Sequence, residues 1–193
     1  MMSFKDLVKA NRSYRRFFEE HTISEETLLT FVDYARITPS GTNKQALRYY
    51  IACEKELNGQ IFETLVWAAY LSDWQGPIEG ERPAAYVVLI QDKEYTMATA
   101  ADAGIAAQTI LLGATELGLG GCTFGNIDRD KLKKILKLAD NFEILLVIAL
   151  GRPKETVVIV EIEPADDIKY WRDENQIHHV PKRKLKDIIL SPI

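Results

Sequence analysis

Residues 95–117 read YTMATAADAGIAAQTILLGATEL, and residues 118–126 continue GLGGCTFGN. The first stretch is expected to be a helix that is apolar on most faces, with Ala100, Ala103, Ile105, Ala106, Ile110, Leu111, Leu112 and Ala114 distributed around it. Such a helix belongs in a core or an interface, and its small side chains let neighbouring backbones approach closely. Gly118, Gly120 and Gly121 stop it, and residues 123–126 are expected to make a short strand or turn. Two nearly continuous apolar runs flank this unit, AAYVVLIQ at 84–91 and FEILLVIAL at 142–150. Both read as buried strands, the second ended by Gly151-Arg152-Pro153.

Further out, Ser3 is placed to cap a short helix reaching Asn11, with Phe4, Leu7 and Val8 on one face. Ser24 starts a second helix with Leu28, Leu29, Phe31, Val32 and Ala35 as its apolar face. Residues 48–53 read as a strand, 55–71 as a helix, and 72–83 as a loop containing Trp74, Gly76, Pro77 and Gly80. Asp128 caps a basic helix through Leu138. The last forty residues read as extended and then basic, too polar and too long to fold alone, so they fray or wrap around a partner subunit. No repeat or linker divides the 193 residues, which suit a single domain spanning 1–193.

The chain is 47% hydrophobic and 27% charged, with a formal net charge of −4. That balance offers no electrostatic reason to bind nucleic acid or an acidic membrane surface. No window approaches the ~20 apolar residues of a membrane span, and Lys5, Asp6 and Lys9 interrupt the first apolar stretch where a signal peptide would run. Cys53 and Cys122 are isolated and match neither a disulfide framework nor a CxxC site. The expected setting is cytoplasmic. His21, His178 and His179 fit no zinc spacing, and no GxSxG is present. His178 and His179 are adjacent, so in an extended tail they point to opposite sides, and they read as surface or interface residues.

Four segments carry candidate chemistry. Residues 12–16, RSYRR, hold two guanidinium groups three positions apart with a hydroxyl beside them, which suits a phosphate; a solvated basic turn is the other reading. Lys182-Arg183-Lys184 is a second basic cluster at the opposite end of the chain. If the fold joins the two clusters, they need an anion between them. Residues 39–45, PSGTNKQ, offer small polar and amide side chains able to read the edge of a heterocycle, or they simply end a helix. The Gly-rich 118–126 segment is neither a dinucleotide fingerprint nor a P-loop, yet it exposes backbone amides with little side chain in the way.

In this order the segments resemble the nitroreductase superfamily of FMN-dependent oxidoreductases. Residues 12–17, RSYRRF, are similar to its Arg-Ser-x-Arg opening, and residues 39–45 to its Pro-Ser-x-x-Asn-x-Gln segment. Asp102-Ala103-Gly104 with Gln108 resembles its central helix, and residues 118–125 the turn that follows it. Gly151-Arg152-Pro153 and the closing residues 181–185, PKRKL, complete the set.

The resemblance implies an α+β fold, a central mostly antiparallel sheet flanked by helices, in an intertwined homodimer whose extension at about 157–193 wraps onto the partner. It implies FMN, with Arg12, Ser13 and Arg15 holding the ribityl phosphate and the pyrimidine side, and Arg183 reaching the phosphate from the tail. Pro39, Ser40, Gly41 and Asn43, with Gln45 beside them, would contact the flavin from the other subunit, and Phe124 and Gly125 would lie by the ring. The implied activity passes reducing equivalents from NADH or NADPH to small acceptors such as nitroaromatics or quinones. A non-catalytic flavin carrier, or a reductive dehalogenase or flavin-modifying relative, are the alternatives. This chain departs from the pattern at Ala46-Leu47 and at Thr123, where relatives often carry aromatics. Trp67, Tyr70 and Trp74 read either as a substrate lid or as packing.

Overall fold

The two apolar runs become the central strands because both of their faces are covered. A computed structural model describes residues 2–191. In chain order the elements are α1 (Phe4–Ala10), β1 (Phe17–Phe18), α2 (Glu25–Arg36), β2 (Leu47–Ala52), α3 (Lys55–Phe62), β3 (Ala85–Asp92), α4 (Ala100–Glu116), β4 (Gly120–Phe124), α5 (Arg129–Ile135), β5 (Phe142–Pro153), β6 (Val157–Ile162), β7 (Trp171–Arg172) and β8 (His178–Arg183). The main sheet runs β1-β5-β3-β2 with β4 also on β5, and every pairing in it is antiparallel. The expected α+β architecture is present.

The strand pleat divides β3 cleanly. Ala85, Val87 and Leu89 enter one core with Leu28 and Phe31 of α2 and Ala103 and Ile110 of α4. Tyr86, Val88 and Ile90 enter the other, with Ile61 of α3 and Leu132 of α5. On β5, Ile144 and Val147 share a face although they are three residues apart. The irregular register between Leu89 and Ile90 accounts for this, since Leu89 pairs Leu146 and Ile90 pairs Ile144.

Several boundaries differ from the sequence reading. The helix expected over 55–71 ends at Phe62. Leu65 forms a β-bridge with Ile127, the Val66 amide donates to the Asn126 carbonyl, and Ala68 has φ 40°. Leaving the helix is what lets Leu65 and Trp67 enter the second core. The central helix starts at Ala100 rather than Tyr95, because Thr99 and Asp102 form a capping box there.

The expected turn at 118–121 is instead partly strand. A Cβ on Gly121 would collide with the Ala149 carbonyl, so glycine is what allows β4 to lie on β5. Likewise β5 runs through Gly151 to Pro153, where the Phe17 ring covers Gly151. The basic helix stops at Ile135, with Lys137 at φ 52°.

The tail folds further than expected. β6, β8 and β7 make a three-stranded sheet in which β6 and β8 are parallel. The β-branched VVIVEI run of β6 supplies the strand propensity that its polarity conceals. His178, expected at a surface or interface, is fully buried, and β8 turns it toward Arg15 of the turn after α1. His179 does point the other way and stacks on Trp171.

Candidate functional site

Residues 12–16 follow α1 and are fixed from three directions. Asn11 donates from Nδ2 to the Leu111 carbonyl (3.0 Å) and to Thr115 Oγ1 (2.9 Å), and accepts from Gln108 Nε2 (3.2 Å), which ties the end of α1 to α4. Ser13 bridges Gly121, and the Tyr14 amide donates to the Gly121 carbonyl (2.9 Å), which lays the turn along β4. The Glu155 carboxylate accepts from the amides of Arg15 and Arg16.

The two neighbouring arginines then diverge. Arg16 makes a two-pronged pair with Glu81 (2.6 and 2.7 Å), joined by Lys154 (3.2 Å), which holds the Glu81 carboxyl below the usual range. Arg15 places its guanidinium over the Tyr170 ring (4.7 Å) and its Nη1 3.3 Å from His178 Nε2. Burial, then the charges of Arg15, Arg172 and His179, push the His178 pKa down to about 4. The ring is therefore neutral at pH 7, and facing a guanidinium donor its Nε2 accepts.

Arg12, Ser13 and Arg15 line a cavity of about 370 Å³ together with Gln108, Thr123 and Lys182. Three cations border it and, among the described residues, no carboxylate does. The Arg12 Nε is buried without a partner. The same guanidinium donates from Nη2 to the Val8 carbonyl (2.8 Å), and its remaining free N–H beside two other cations fits the phosphate of a nucleotide, since guanidinium–phosphate hydrogen bonds are charge-assisted.

Residues 39–45 lie at a second, smaller cavity of about 180 Å³ that Pro39, Ser40 and Gln45 line with Asp102. Thr42, Asn43 and Gln45 have φ of 49°, 53° and 51°, a conformation non-glycine residues rarely adopt. The loop is tethered by the Gly41 amide, which donates to Asp102 Oδ1 (2.7 Å), and by the Gln45 amide, which donates to Ser40 Oγ (3.2 Å). Asp102 also accepts from the Thr99 amide (2.8 Å), so one carboxylate caps α4 and anchors the loop. Hydrogen bonds from Thr99 and Gly41 hold its pKa below the ordinary carboxylate value.

Of the expected residues, Arg12, Ser13 and Arg15 share one cavity, while Pro39, Ser40 and Gln45 share another with no lining residue in common. Gly41 and Asn43 are exposed beside the second. Phe124 faces the core, edge-on to Trp67 at 4.6 Å, and Gly125 is exposed just past β4. Arg183 donates to the Pro164 carbonyl (3.2 Å) and does not line the cationic cavity. Lys182 does, as do Thr123 and His178. The signal for Lys182 was the pleat of a strand at 178–183, which aligns 178, 180 and 182 on one face. Trp67 is buried in the second core; Tyr70 packs on Tyr170 (5.0 Å) and Trp74 lies under Arg172 (4.7 Å).

The α+β fold thus carries a cavity bordered by Arg12, Arg15 and Lys182 beside its central helix. The model of the Nitroreductase family matches residues 8–152, and the chain belongs to that family. It is 26% identical over 148 residues to an Archaeoglobus fulgidus protein provisionally named NADH dehydrogenase/NAD(P)H nitroreductase, covering 72% of this chain and 80% of that one. It is 24% identical over 186 residues to a Bacillus subtilis protein provisionally named NAD(P)H nitroreductase MhqN, covering 80% and 90%. Its fold is shared with a nitroreductase family protein of Streptococcus pneumoniae (TM-score 0.69, 16% identity, 98% of this chain and 100% of the other). It is likewise shared with an FMN-dependent nitroreductase of Clostridium difficile (TM-score 0.62, 24% identity, 77% and 87%). No helix among the described residues is long and apolar enough to cross a membrane.

Proposed function

We propose that this protein binds FMN and uses NADH or NADPH to reduce small acceptors such as nitroaromatics or quinones. The observation that carries the reading is the cavity of Arg12, Ser13, Arg15 and Lys182, which brings together three cations and a serine with no acid among the described residues. The names of the relatives support the redox partner and the cofactor. A bound FMN supplies hydride exchange with NAD(P)H and onward reduction of the acceptor.

The chain's own residues bind and orient. Arg12, Arg15 and Lys182 neutralise the phosphate, and neutral His178 accepts from Arg15 without adding charge. Thr123 lines the cavity, and Gly125 follows directly on β4. Pro39, Ser40, Gly41, Asn43 and Gln45 form the partner's contribution in a homodimer, which accounts for their separation from the cationic cavity within one chain.

The test is an absorption spectrum after reconstitution with FMN and dialysis, followed by anaerobic addition of NADH or NADPH. Retained flavin at about one per chain that bleaches supports the enzyme. Retained flavin that neither nucleotide bleaches makes the protein a carrier. A colourless protein overturns the reading.

A further inference from the structure

Glu155 lies between β5 and β6, where the C-terminal sheet leaves the main body. Its side chain is 1% exposed, and that of its partner Arg172 is 9% exposed. One carboxylate oxygen accepts from the amides of Arg15 and Arg16, and the other from Arg172 Nη2 at 3.0 Å. Arg172 in turn covers the Trp74 ring at 4.7 Å. The cationic cavity has one wall from residues 11–15 and another from the tail, through Tyr170, His178 and Lys182. Glu155 itself does not line it.

We propose that Glu155 is a positioning residue for the anion cavity, setting both of its walls from one buried carboxylate. One oxygen fixes the backbone that aims Arg12, Ser13 and Arg15; the other fixes the strand that carries the tail's contribution. The inference rests on reading this cavity as the place of the FMN phosphate.

The sign of the effect separates positioning from charge. Removing a negative charge beside an anion site would, by Coulomb's law alone, tighten phosphate binding. A loss of binding is therefore the mark of lost geometry. Glu81 supplies the matched control: its side chain is 8% exposed and pairs Arg16 and Lys154 at the same turn, yet none of these three lines the cavity.

The experiment measures Kd for FMN and for riboflavin, which lacks the phosphate, in the wild type, E155Q, R172L and E81Q. The expected result is a rise of about tenfold in the FMN Kd of E155Q, the scale of a lost charge-assisted hydrogen bond. Riboflavin binding should be unchanged, R172L, whose lost positive charge weakens FMN on either account, should shift in the same direction, and E81Q should match the wild type. An FMN Kd that stays level or falls in E155Q overturns the proposal. So does equal weakening of FMN and riboflavin, which marks a general folding defect. If E155Q does not fold, an unaltered FMN Kd in R172L overturns it instead. A wild-type chain that binds no FMN defeats the reading of the cavity, an outcome that involves no substitution and is distinct from the others.

Discussion

Lys182 and Arg183 are neighbours in sequence, and the pleat of β8 sends them to opposite faces. Lys182 lines the cationic cavity while Arg183 donates to the Pro164 carbonyl. K182A should therefore weaken FMN about tenfold, as one lost charge-assisted contact would, while R183A leaves the affinity near that of the wild type; flavin fluorescence titration measures both. His178 makes a prediction about pH. Its pKa is about 4 in the folded protein against 6.5 ordinarily. The unfolded chain takes up the proton first, so stability is full above about pH 6.5 and falls as the pH drops toward 4. The amount is on the order of 3 kcal/mol. Urea unfolding from pH 4 to 7.5 should show a shallower slope in H178N than in the wild type.

At the scale of elements, the start of α4 concentrates two duties in Asp102. Its carboxylate completes the capping box with Thr99 and accepts from Gly41 at the head of the strained 41–45 loop. D102A should cost about 1–2 kcal/mol, the usual range for a lost cap, and should raise amide hydrogen exchange at Gly41 and Gln45. Because its pKa is lowered in the fold, the Asp102 contribution is present above the ordinary carboxylate pKa and lost as the pH falls through the depressed one. The elements themselves were unequally legible. β3, β5 and α2 follow from apolar runs and caps. The end of α3 did not, because residues 63–67 keep a helical pattern while Leu65 finds a bridge partner in Ile127. Nor did the strand at Gly120–Gly121, whose glycines read as a turn until Ala149 and Tyr14 are placed against them.

For the molecule as a whole, α1 leaves Phe4 73% exposed and α4 leaves Ile105 40% exposed. Ile105 lies among the small residues of the central helix, on the side away from the core. In the proposed homodimer this face is covered, and I105E should shift the protein from dimer to monomer and lower its retained FMN. Light scattering coupled to size exclusion, with the flavin-to-protein absorbance ratio, measures both. A dimer that persists in I105E with full flavin would place the interface elsewhere.

The sequence by itself determined which segments are buried. Burial follows from local periodicity: unbroken apolar runs at β3 and β5, a helix of small apolar residues at α4, and serine caps that start helices at Phe4 and Glu25. It also marked the RSYRR turn as a candidate for a phosphate. Only the tertiary structure decided which of the polar side chains come together. Arg15 reaches His178 and Lys182 borders the same cavity as Arg12 because β8 is laid against the turn that follows α1, while Arg16 of that turn pairs Glu81. Those choices depend on strand pairing between distant segments and on the phase of each pleat, and no local window of sequence contains either.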